Sequence, residues 1–216
     1  MIRFALILLM SLALSSQAVA LVTSDHSGEA SVQKGRVAYE KGNYGAALQI
    51  FTPLAEKGDL VAQLNLAKMY REGRGVSKDY KAAVKWFNLS AAQGNAVAQY
   101  HLGVAYSFGL GVVPDYEIAS KWYLKSAEQG NAFAQHHLSL LYYFGNGVPE
   151  DKKYAYMWAN LASLSGFEMA EQLRQVLTEQ MTASQIDEAL LLTRKCKDRN
   201  FNGCREPDLP SIAEPI

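Results

Sequence analysis

The chain has 216 residues, about half of them apolar, which is enough to bury the core of one domain. Its 21 basic and 21 acidic side chains cancel, so it lacks the basic surplus that marks nucleic-acid binding. Two cysteines, without a second pair of ligands, do not make a zinc finger.

Residues 1–20 read as an export signal: Arg3 forms the basic start, Phe4 to Met10 the apolar run, and Ala18-Val19-Ala20 the small-residue cleavage site. The run is shorter than the roughly 20 residues needed to cross a bilayer, and no cysteine follows for lipid attachment. Cleavage predicts a mature chain from Leu21 with no integral membrane span, one charge negative after the loss of Arg3. Residues 21–30 are expected to be a flexible linker. Residues 31–60 hold Tyr39, Gly42, Tyr44, Ala47, Phe51, Ala55 and Gly58 at helical spacing.

From residue 61 the chain repeats itself. Trp86, Trp122 and Trp158 stand 36 residues apart, and Val61-Ala62-Gln63 returns as Val97-Ala98-Gln99, Phe133-Ala134-Gln135 and, more loosely, Met169-Ala170-Glu171. A fixed period of this length marks a solenoid, in which each unit buries its apolar face only against its neighbours. Within a unit the spacing predicts a first helix, for example Val97 to Phe108, with Ala98, Leu102, Ala105 and Tyr106 on one stripe. The pairs Gly73/Gly75, Gly109/Gly111 and Gly145/Gly147 end that helix by adopting positive φ, and Val76, Val112 and Val148 plug the bend. Asp79, Asp115 and Asp151 then cap a second helix, which carries the tryptophan in its core and ends near Gly94 or Gly130.

After Met169 the tryptophan and the glycine pair disappear. Thr182-Ala183-Ser184-Gln185 predicts a capping box that opens a last helix to about Lys197, sealing the far end. Asn200 to Gly203 reads as a turn bringing Cys204 back towards Cys196, so the two pair in a local disulfide or stay as two thiols. Residues 205–216, with three prolines, are expected to form a flexible tail.

The run Ala98, Leu102-Gly103, Tyr106, Gly109-Leu110-Gly111-Val112, Asp115, Ala119, Trp122, Ala127, Gly130 resembles the Sel-one-like repeat, a relative of the tetratricopeptide repeat. The resemblance covers about 61–168 as three repeats. Residues 31–60, whose loop from Gly42 to Tyr44 is five residues shorter than that from Gly73 to Tyr80, resemble a plain tetratricopeptide repeat and would cap the start. Residues 169–204 would be the C-terminal capping helices. The fold so implied is all-α, a right-handed α-α superhelical solenoid, and the function is that of a non-catalytic adaptor or scaffold in the bacterial periplasm or envelope.

If that geometry transfers, the inner curve is lined by Leu64, Lys68 and Arg71, then Tyr100, Val104 and Ser107, then His136, Leu140 and Tyr143. The lining passes from basic to aromatic, which suits an extended protein or peptide partner with an acidic part and an apolar part. His136 and His137, with His101 one repeat before His137, do not form a metal site by pattern: neighbours on a helix point about 100° apart, and no carboxylate or cysteine recurs with them. No cofactor motif and no phosphate loop, nucleophile elbow or zinc-protease helix occurs. Two other functions stay open. One is β-lactam binding or hydrolysis, as in cysteine-rich relatives that carry a cysteine pair in nearly every repeat. Ser31-Val32-Gln33-Lys34 matches a serine β-lactamase nucleophile pattern by letter but has no Ser-Asp-Asn or Lys-Thr-Gly partner. The other is a peptidoglycan-associated structural role.

Overall fold

A computed structural model describes residues 28–204, and every regular element among them is an α-helix. Helix α1 is described over 28–40, followed by α2 (Tyr44–Glu56). Three hairpins come next: α3 (Leu60–Glu72) with α4 (Tyr80–Ala92), α5 (Ala96–Phe108) with α6 (Tyr116–Ala127), and α7 (Ala132–Phe144) with α8 (Lys152–Leu164). The described chain closes with α9 (Glu168–Gln180) and α10 (Ala183–Asp198). The signal segment, most of the linker and the tail from 205 lie outside the described residues.

Helices α2 to α8 and α10 each start where a short polar side chain takes free amide hydrogens, whereas α9 starts at Phe167 without one. Asp79, Asp115 and Asp151 accept from Ala82, Ile118 and Tyr154, as expected, a contact worth about 1 kcal/mol per cap. Asp59, Asn95 and Asn131 do the same for α3, α5 and α7, a second set of caps that the repeat pattern also contains. Gly73, Gly109 and Gly145 end the first helices in the left-handed region. The second glycine of each pair does something different. A Cβ on Gly111 would sit 2.5 Å from the Tyr80 carbonyl, and Gly75 and Gly147 meet Tyr44 and Tyr116 in the same way. Each loop therefore rests on the first residue of the outer helix one repeat earlier, and only glycine leaves room for it.

The helices pack in sequence, α3 on α4, α4 on α5, and so on to α9 on α8, with α5 also touching α7. This is the helical solenoid that the 36-residue period predicts. Trp158 is fully buried, Trp122 is 6% exposed and Trp86 is half-buried against both the first and second core clusters. Between them sit Ala62, Ala98 and Ala134, all wholly buried, whose small side chains let the helices approach.

Polar bonds at the same period stitch the two helices of a repeat together and tie each repeat to the unit before it. Ser90 Oγ donates to the Leu60 carbonyl at 2.8 Å, and Ser126 Oγ donates to that of Ala96. Gln63, Gln99 and Gln135 donate back to the carbonyls of Ala55, Ala91 and Ala127, while Gln93 and Gln129 donate to Gln63 Oε1 and Gln99 Oε1 at 2.9 and 2.7 Å. The series stops in the third repeat. Position 162 is alanine, position 165 is a serine bonded to its own helix, and Gln135 Oε1 is left buried without a partner.

At the C-terminal end, α9 stacks on α8 as the next first helix would, but α10 packs on α8 rather than pairing mainly with α9. The Thr182–Gln185 capping box opens α10, Lys153 pairs with Glu188 at 3.0 Å, and Asn160 bonds Thr193. Helices α9 and α10 both pack on α8, and residues of both join its core cluster. Cys196 and Cys204 are joined in a disulfide. The loop they close puts Phe201 beside Gly130 and bonds the Gly203 amide to Glu128.

Candidate partner-binding surface

The first helices α3, α5 and α7 present their residues in parallel rows, because positions 36 apart occupy the same place on successive helices. On α3, Leu64 is 8% exposed and forms the floor, while Lys68 and Arg71 are half-buried and reach outward. Arg71 donates from Nη1 to His101 Nδ1 at 3.0 Å and from Nη2 to Glu72 at 2.6 Å. Glu72 also accepts from Tyr39 at 2.7 Å and pairs with Arg74 at 3.0 Å. Burial works against the charge on Glu72, but the Tyr39 hydroxyl and Arg71 guanidinium outweigh it and hold its carboxyl below the usual range. Burial, with Arg71 adding repulsion, pulls the Lys68 ammonium down.

His101 accepts the guanidinium proton and so must be neutral. Burial first, then the positive charges of Arg71 and Lys68, push its pKa down to about 3. His137 is lowered to about 4, mainly by burial with a smaller contribution from His136. Both imidazoles therefore act as uncharged rings. They belong to an unbroken series of ring contacts across the repeats: Phe87 to His101 at 4.8 Å, His101 to Tyr100 at 5.1 Å, and Tyr100 to both Phe133 and His137 at 5.7 Å. Tyr123 stacks on His137 at 5.1 Å, and Phe133 and His136 reach Phe167 at 4.8 and 5.2 Å. Offset and edge-on arrangements of this kind are favourable beyond the area they bury.

Of the nine residues expected on the inner curve, the structure brings Lys68 and Arg71 together at one end and places Tyr100 at the junction of the rings. Val104 and Leu140 are half-buried, and His136, 7% exposed, lies in the floor with its Nδ1 unpartnered. Ser107 donates to the Tyr123 hydroxyl at 3.2 Å, while Tyr143 turns towards α9 and accepts from Gln180 at 2.9 Å. The pattern missed Phe133, which is 52% exposed and touches two rings, and also His101, His137 and Phe167. Phe133 had a signal: it is the one aromatic at a position otherwise held by Val61, Val97 and Met169. Among the described residues no three metal-binding side chains gather. Ser31 and Lys34 line an open hollow with Ile50, Pro53 and Leu54. No helix of the described residues is long and apolar enough to cross a membrane, and the disulfide is of the kind found in oxidising compartments.

Comparison with known proteins agrees with the geometry. The Sel1 repeat profile matches residues 60–95, 96–131 and 132–167. A Sel1 repeat protein from Oxalobacter formigenes, whose crystal structure is known, superposes with a TM-score of 0.67 at 25% identity, over 78% of this chain and 74% of that one. The crystal structure of c5321, a protective antigen of uropathogenic Escherichia coli strains with an SLR fold, gives 0.57 at 27% identity over 88% of this chain; the chain spans half of that protein's length. No curated protein matches the sequence. Three consecutive matched repeats, each built as a capped hairpin on its predecessor, make this chain a member of the Sel1 repeat family.

Proposed function

We propose that the protein is a non-catalytic adaptor that residues 1–20 direct to the periplasm or envelope, and that it holds an extended segment of a protein partner along α3, α5 and α7. Sel1 repeat proteins in general mediate protein–protein interaction, which is the coarse reading. The single observation that supports the finer one is the band of rings from Phe87 to Phe167, kept uncharged by burial and bordered at one end by Lys68 and Arg71. Such a surface offers apolar faces to a backbone laid across it and attraction to an acidic residue at one end. The partly exposed Phe133 is its accessible centre.

The test is site-specific photocrosslinking in the periplasm. A benzophenone side chain at position 133 should capture one partner, and the same group at the exposed Lys85 on the outer helix α4 should not. Replacing Tyr100 and Tyr143 with alanine should remove that capture while circular dichroism shows the helices intact. Equal capture from both faces, or capture unchanged in the double variant, overturns the inner surface. Turnover of a chromogenic β-lactam, or pelleting with cell-wall sacculi, would replace the adaptor with an enzyme or a wall protein.

A further inference from the structure

Where α3 and α5 diverge above α4, a notch of about 20 Å³ opens between Arg71, Tyr80, Phe87, His101, Val104 and Leu110, enough for about one water molecule. Its walls are almost wholly apolar, and a guanidinium stands at its side. Next to it the charge is unbalanced. Glu72 is already engaged by Tyr39, Arg71 and Arg74, and the described residues show no ion pair for Lys68, on which the repulsion of Arg71 outweighs the attraction of Glu72 and Arg36 adds to that repulsion. A half-buried ammonium facing two guanidinium groups favours the arrival of a carboxylate more than a solvated surface lysine does.

From the notch and the unpaired Lys68 beside it, we infer that this end of the inner surface is an anchor for one acidic residue with a small aliphatic neighbour, carried on an extended segment of the partner. The carboxylate bonds Lys68 and the free edge of Arg71. A methyl group enters the notch against Phe87 and Val104, which is too small for a larger side chain. The neutral His101 lets the guanidinium sit at the mouth without a second charge behind it. The anchor sets the register of the segment, and the rings from Tyr100 onward take its later residues. This inference rests on the proposed inner surface and adds the chemistry of its ligand.

Titration calorimetry of the full mature chain tests it with three acetylated, amidated pentapeptides: Gly-Asp-Ala-Gly-Tyr, its Asp-to-Asn analogue and its Ala-to-Trp analogue. The first should bind about tenfold more tightly than either analogue, with an affinity that falls as salt is raised. Lys68→Glu should remove the preference for Asp over Asn, Lys68→Arg should keep it, and Val104→Trp should remove only the preference for Ala over Trp. Equal binding of the Asp and Asn peptides, or no binding of any peptide by the folded protein, overturns the anchor. The crosslink from position 133 reports separately: if it persists while the peptides fail, the partner surface stands without this anchor, and if it fails while they bind, the anchor stands without that surface.

Discussion

The hairpins of the first and third repeats are built on the same backbone, yet only the first is fully stitched. At the former, Ser90 and Gln93 bond the inner helix beside them and Gln63 has both ends of its amide satisfied. At the latter, alanine and serine stand in those places, and Gln135 Oε1, His136 Nδ1 and Ser139 Oγ are buried without partners. A buried polar atom left unpaired costs more than a hydrogen bond returns, so the third hairpin depends on its apolar packing: Trp158, Met157 and Leu161, covered by α9 and α10. A repeat protein thus keeps one geometry along its length while changing what holds each interface.

The sharpest way to expose that difference is to remove an indole from each end. Trp158→Ala should cost about 3–5 kcal/mol in urea denaturation because the ring is fully buried, and Trp86→Ala should cost less because its ring is only partly buried. Similar losses would mean that the two ends are held alike. Next in size, Gly111→Ala should cost about 2–3 kcal/mol by combining positive φ with a clash on the Tyr80 carbonyl, whereas Gly166→Ala, at a φ of 82° but with open space around it, should cost about 1 kcal/mol.

Acid should separate the regions too. The folded pKa values of His101 and His137, about 3 and about 4, lie below the ordinary 6.5, so the unfolded chain takes up protons first. Their contribution to stability is complete above pH 6.5 and is lost as pH falls to about 4 for His137 and about 3 for His101. The melting temperature should therefore drop across that window, and the drop should shrink in a His101→Gln/His137→Gln variant measured in the same buffers. The smallest effect is a gain. Ser165→Gln should return the missing donor to Gln135 and raise stability by about 0.5–1.5 kcal/mol, while Gln129→Ser in the intact second hairpin should lower it by a similar amount.

Much of this was legible from residue order. The glycine pairs, the aspartate caps and the Thr182 capping box each act through backbone within a few positions, so local chemistry was enough to place them. The Asn95 and Asn131 caps could have been read the same way. The band of rings could not, because Tyr100, Tyr123, Phe133 and Phe167 meet only after four helices have stacked, and their contacts depend on how far each helix is turned about its axis. The same turn sinks Leu64 and His136 into the floor while their row-mate Tyr100 stays at the surface.

Residue order alone determined the repeating hairpin, its period and its punctuation, since a helix end is decided by which nearby group satisfies its free amides and carbonyls. Tertiary packing decided that α10 would lie along α8 and that two histidines would stay neutral. It also left Lys68 without an ion pair among the described residues, beside an apolar notch. Burial and unlike neighbours set those outcomes, and both arise only when segments 30 or more residues apart come together, as Arg71 and His101 do.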